Sequence, residues 1–108
     1  MATGRLGVAA ILAAQTPPQT VYSVPTGFYA VATLSITNRN TTPVTVRVAL
    51  SASGTPNPED YIEYNTSIIA NGVFERTGLV MQAGLNLVVY SDTASVGATV
   101  YGIETSTA

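Results

Sequence analysis

Between residues 28 and 37 every even position is apolar (Phe28, Ala30, Ala32, Leu34, Ile36), while the odd positions pass from Tyr29 and Val31 to Thr33, Ser35 and Thr37. A repeat of two belongs to a strand with one buried face, because successive side chains leave the pleated backbone on opposite sides. The even face is therefore expected to look inward. The next segment follows the same rule, with Val44, Val46, Val48 and Leu50 on one side and Thr45, Arg47, Ala49 and Ser51 on the other. Between them Asn38, Arg39, Asn40, Thr41, Thr42 and Pro43 form a turn by residue type.

Segments 20–24, 61–68, 73–81, 85–91 and 96–104 are rich in Val, Ile, Thr and Tyr and are predicted as further strands. Pro25 with Gly27, Asn71 with Gly72, Ala83 with Gly84, and 92–95 divide them. Asn71 and Gly72 are the sharpest turn signal, since both tolerate the positive φ of the primed hairpin turns. Residues 53–59 contain Pro56 and Pro58, which lack backbone donors, so this stretch is expected to be an exposed loop crossing an edge or an end. Short strands without a useful helical window predict an all-β fold: an antiparallel β-sandwich, jelly-roll-like. Residues 20–108 are expected to form that sandwich domain. Residues 1–19 are expected to form an N-terminal arm, extended or, over 8–14, short-helical because Ala and Leu favour a helix.

The chain lacks His, Cys and Trp, and its only basic side chains are Arg5, Arg39, Arg47 and Arg76. Nucleophilic catalysis by Ser or Thr needs a base in reach, and neither His nor Lys is present. Glu59, Asp60 and Glu63 are close in sequence, but an acidic cluster beside a Pro-rich loop is read as a solvated strand start, not a catalytic pair or a calcium loop. The expectation is a non-enzymatic chain with no catalytic residue, metal or cofactor. A net charge of -2 offers no basic stripe for a phosphate backbone, so no nucleic-acid partner is expected.

The apolar run 6–14 is far shorter than the roughly 20 residues that span a bilayer, so no membrane partner is expected. After Arg5 it imitates a signal peptide only faintly and is read as a retained arm, with the termini, Met1 and Ala108, held by partner surfaces. The acceptor patterns at Asn40 and Asn65 are discounted as glycosylation sites because no signal peptide accompanies them.

Charged residues are 9% of the chain against about a quarter in soluble domains, so the surface is poorly protected against association. Sandwich edges are commonly guarded by Lys, and here none is available. Neighbouring subunits, the N-terminal arm, or both through strand addition are expected to cover them, with closed cyclic assembly of identical subunits. Phe28 and Tyr29, and Tyr61 and Tyr64, lie on opposite faces if their strands are regular, which leaves one of each pair outward as a possible interface anchor. Glu75 and Arg76 alternate likewise.

Three runs carry a family likeness: Asp60-Tyr61-Ile62-Glu63-Tyr64, Asn71-Gly72-Val73-Phe74-Glu75-Arg76-Thr77-Gly78, and Val100-Tyr101-Gly102-Ile103-Glu104. With the opening Met1-Ala2-Thr3-Gly4-Arg5-Leu6-Gly7, and the early turns Val24-Pro25-Thr26-Gly27 and Asn38-Arg39-Asn40, the chain resembles small virion structural proteins of tailed bacteriophages. The resemblance implies a β-sandwich subunit that decorates a capsid or sits in the tail or baseplate. The leading expectation is a capsid decoration, or cement, protein on the capsid exterior, with the major capsid protein and itself, as a homotrimer, for partners. Arg5, Leu6 and Val8 are the expected lattice contacts, and Tyr61, Tyr64 and Arg76 the expected contacts between copies. A tail or baseplate subunit, or a tail-borne host-recognition module that binds carbohydrate through exposed tyrosines, is the alternative.

Overall fold

The computed structural model describes residues 3–14 and 18–107. Eight strands occur in the order β1 (Thr3–Ile11), β2 (Gln19–Ser23), β3 (Phe28–Asn38), β4 (Val44–Ser51), β5 (Tyr61–Ile68), β6 (Val73–Met81), β7 (Asn86–Ser91) and β8 (Val96–Ser106). One sheet has the order β1-β8-β3-β6 and the other β2-β7-β4-β5. The first strand thus pairs with the last, β2 with β7, β3 with β6 and β4 with β5, all antiparallel. This is a long hairpin rolled upon itself, the jelly roll, and it confirms the all-β sandwich.

The core lies between the sheets. Ala30, Ala32, Leu34 and Ile36 of β3, with Val96, Ala98 and Val100 of β8, face Val44, Val46 and Val48 of β4 and Leu87 and Val89 of β7. The even face of β3 is the buried one, as its period predicts. Full burial of each Val or Leu contributes about 1.5–3 kcal/mol.

The N-terminal segment is extended over Thr3–Ile11 and lies along β8, from Thr3 opposite Ile103 to Ile11 opposite Val96. The short helix entertained for 8–14 is corrected: a free edge of β8 supplies backbone partners, and Ala9 and Ile11 turn toward the core while Val8 and Ala10 stay out. Helix propensity is a weak prior against that pairing. Gly7 is required where β1 passes β2, since a Cβ there would sit 2.4 Å from the Val21 carbonyl oxygen. After β1 the chain crosses to the other sheet, where Ala14 N–H donates to the Ser91 carbonyl at 2.8 Å. The expectation that partner surfaces hold Met1 and Ala108 falls outside the described residues.

Asn71 and Gly72 do form a tight turn, with Asn71 at φ 55° and Gly72 N–H donating to the Ile69 carbonyl. It is not a hairpin turn. It carries the chain from β5 in one sheet to β6 in the other, and Asn38 is the reason it is held there. The buried Asn38 amide donates to the Thr42, Ile68 and Ile69 carbonyls, and its oxygen accepts from the Asn40 backbone and side chain. Asn40 in turn reaches the Ala94 carbonyl, so three connections at one end of the sandwich are joined.

Candidate interaction surface

The outward faces of the two sheets differ. On the β2-β7-β4-β5 sheet, Ala49 and Val88 are register partners on the outer side, yet both are buried. The connection after β4 lies over this face, with Gly54 against Thr20. On the β1-β8-β3-β6 sheet the outer side is open among the described residues. Val80, Val31, Ile103 and Thr3 are successive register partners across all four strands, and Val80, Val31 and Ile103 are 67%, 45% and 51% exposed.

Tyr29 lies beside this row on β3 and Tyr101 on β8, and Val8 and Val73 extend the same face on the two edge strands. Seven of the ten exposed large hydrophobic side chains among the described residues are therefore gathered on one sheet face. Val80, Val31, Ile103, Tyr29 and Tyr101 adjoin one another, with Val8 and Val73 further along the face; adjoining exposed apolar residues mark an interaction site, whereas scattered ones carry no such meaning. The face is bordered by charge, since Arg5 stands opposite Tyr101 on β1 and Glu75 accepts a 3.0 Å hydrogen bond from the Tyr101 hydroxyl on the β6 side. That hydrogen bond, then desolvation and the Glu75 charge, raise the Tyr101 pKa. The phenol therefore stays a neutral donor.

The expected contact residues fall into four places. Arg5 and Val8 are on the open face. Leu6 is not: it follows the outward Arg5 onto the core side, and the bulge between Arg5 and Gly7 is what returns Val8 to the open face. Arg76 lies on the inner side of β6, opposite Leu34, and reaches across the open flank of the sandwich to form an ion pair with Glu63 of β5. Glu63 also accepts from Thr66, and Asp60 accepts from the Asn57 backbone, so these two carboxylates are engaged in local structure.

Tyr61 and Tyr64 were expected on opposite faces of a regular strand, and β5 is not regular. Its register against β4 shifts twice, and Asn65 has a left-handed φ of 57°. The bulges bring the two rings together, edge to face, with centroids 5.2 Å apart. Beside them Pro56 and Pro58 complete a cleft of about 480 Å³. The Arg47 guanidinium stacks between the rings of Tyr64 and Tyr90, 4.3 and 4.8 Å from their centroids.

Sequence reasoning did not single out Val31, Val80, Tyr101 or Ile103 as contacts. The alternation in β3 shows that Val31 points outward; that it meets Val80 and Ile103 depends on non-local strand order. Comparison with family models, curated proteins and solved structures gives no match for this chain.

Proposed function

We propose that this chain is a non-enzymatic structural protein of a tailed-phage virion, a capsid decoration protein that seats the open face of its β1-β8-β3-β6 sheet on the joints between shell subunits. The observation that carries this reading is the gathering of Val8, Tyr29, Val31, Val73, Val80, Tyr101 and Ile103 on one uncovered sheet face. The jelly roll suits the role as a rigid scaffold, a fold used by viral capsid and lectin domains alike. The phage resemblance of the sequence supplies the class of partner: the major capsid protein, with further copies of this chain in a trimer.

The mechanism is mass action. A protein that binds the assembled lattice and not its free subunits stabilises the lattice by an amount that grows with the logarithm of its free concentration over Kd. Apolar contact supplies the affinity, while Arg5 and Glu75 at the two borders set orientation more than strength.

The test is occupancy. Capsids stripped of this chain are incubated with the wild type, with Val31→Asp/Ile103→Arg, and with Ile69→Asp, whose site is exposed but off the face. The first and third are expected to saturate the shell and the second to bind at least tenfold more weakly. Equal occupancy by all three would remove the open face from the account. Band intensity in purified virions separates shell from tail: hundreds of copies per particle fit decoration, whereas a few to some tens fit a tail or baseplate subunit.

A further inference from the structure

We infer that the strip formed by Tyr90, Arg47, Tyr64 and Tyr61, with the cleft at its end, binds a neutral saccharide. One pyranose ring would lie against the Tyr61 and Tyr64 rings. This goes beyond the decoration role and does not rest on it, because the strip is on the sheet opposite the open face.

The strip is built, not incidental. Two register shifts and a left-handed Asn65 are needed to bring Tyr61 and Tyr64 to the same side. Bulges and sparsely populated backbone conformations of this kind re-aim side chains and concentrate at functional sites. Asn65 is then fixed by a 2.8 Å hydrogen bond from Arg47 Nε. Despite this investment Tyr64 is left 58% exposed. Its neighbours leave a cleft within the size range of small-ligand sites.

The polar groups around the strip select the ligand. Arg47 uses Nε on Asn65, and among the described residues the only ion pair is Arg76–Glu63, so the Arg47 terminal N–H groups retain donor capacity. Beside the cleft, the turn between its lining residues Pro58 and Tyr61 carries Glu59 and Asp60, so the loop side bears negative charge. An anionic ligand would be repelled by that charge. A Pro-rich peptide would bring carbonyl acceptors and few donors toward it. A sugar ring instead offers an apolar C–H face to Tyr and Pro, and hydroxyls that accept from Arg47 and carry no charge to be repelled.

The full chain is applied to an array of neutral glucans, mannans, galactans and N-acetylglucosamine oligomers, with sialylated glycans and a Pro-rich decapeptide as competing classes. The strongest neutral glycan is then titrated by NMR. Tyr61 and Tyr64 ring resonances are expected to shift in the wild type, Tyr64→Ala to weaken binding about tenfold, and Val31→Asp/Ile103→Arg to bind like the wild type. The wild-type ring shifts test the site even should Tyr64→Ala misfold. Absence of neutral-glycan binding, preference for the acidic glycans or the peptide, or shifts confined to other residues would overturn the assignment. Unaltered capsid occupancy of Tyr64→Ala keeps that failure distinct from failure of the decoration role.

Discussion

Tyr22 on β2 donates its hydroxyl to Glu104 Oε2 on β8 at 2.5 Å, joining the two sheets inside the sandwich. Both side chains are buried. Removing the hydroxyl leaves a carboxylate shielded from water without its partner, which costs about 1–3 kcal/mol. Tyr22→Phe is expected to lower the unfolding free energy by that amount in a denaturant titration. An unchanged midpoint would show that the pair contributes nothing net.

The same contact sets a pH dependence. Burial is the largest cause raising the Tyr22 pKa well above its ordinary value of 10.0, and the hydrogen bond and charge of Glu104 add to it. The folded chain therefore holds this proton more tightly than the unfolded chain. The contribution is complete below pH 10.0 and is lost as pH climbs toward the folded value. Above pH 10.0 the melting temperature of the wild type is expected to fall more steeply than that of Tyr22→Phe, and parallel curves would contradict it.

Asn38 is the second buried polar anchor, with three donated and two accepted hydrogen bonds. Asn38→Ala would strand the carbonyls of Thr42, Ile68 and Ile69 at the end of the core. A loss of about 2–4 kcal/mol is expected, since the cost of each stranded group is shared among neighbours and partly relieved by water. Asn38→Asp should be at least as damaging, because a carboxylate would face three carbonyl oxygens with no proton to offer. Chemical denaturation of the three proteins ranks them, and a mild Asp variant would contradict this reading.

Both anchors mark where sequence stops being informative. The strand positions follow from local pattern, so β5 and β6 begin and end where their residue types say. What each turn connects does not follow. Asn71 and Gly72 have the chemistry of a tight turn whether it joins neighbours in one sheet or crosses between two, and only the packing of both sheets decides. Glu104 reads as the polar member of an alternating strand, yet it is buried because Tyr22, far away in sequence, is there to receive it. Tyr61 and Tyr64 were misplaced for a third reason: strict alternation fails wherever a bulge inserts a residue, and nothing local announced the two shifts in β5.

Arg76 and Glu63 bridge β6 and β5 on the flank where the two sheets part. Their side chains keep 40% and 23% of their exposure, so water and salt screen the attraction. Arg76→Ala is expected to cost no more than about 1 kcal/mol, with the difference from wild type shrinking at high salt. A larger, salt-independent loss would mean that packing of the Arg76 stem against the core edge dominates.

Val31 and Ile103 face each other across β3 and β8 on the open sheet face. Because both are substantially exposed, replacing them disrupts no core, and surface changes of this kind alter stability by about 0.5 kcal/mol or less. Val31→Asp/Ile103→Arg keeps the net charge and places opposite charges on directly opposed residues, an arrangement sheets favour. Any lost association then reports lost apolar contact and not repulsion or misfolding. In sedimentation velocity the wild type is expected to form trimers as concentration rises and the double variant to form them equally, with an unchanged melting temperature, because the open face is kept for the shell. A wild type that stays monomeric at high concentration would remove self-association from the proposed role, while a double variant that stays monomeric would place the open face between copies and take it from the shell.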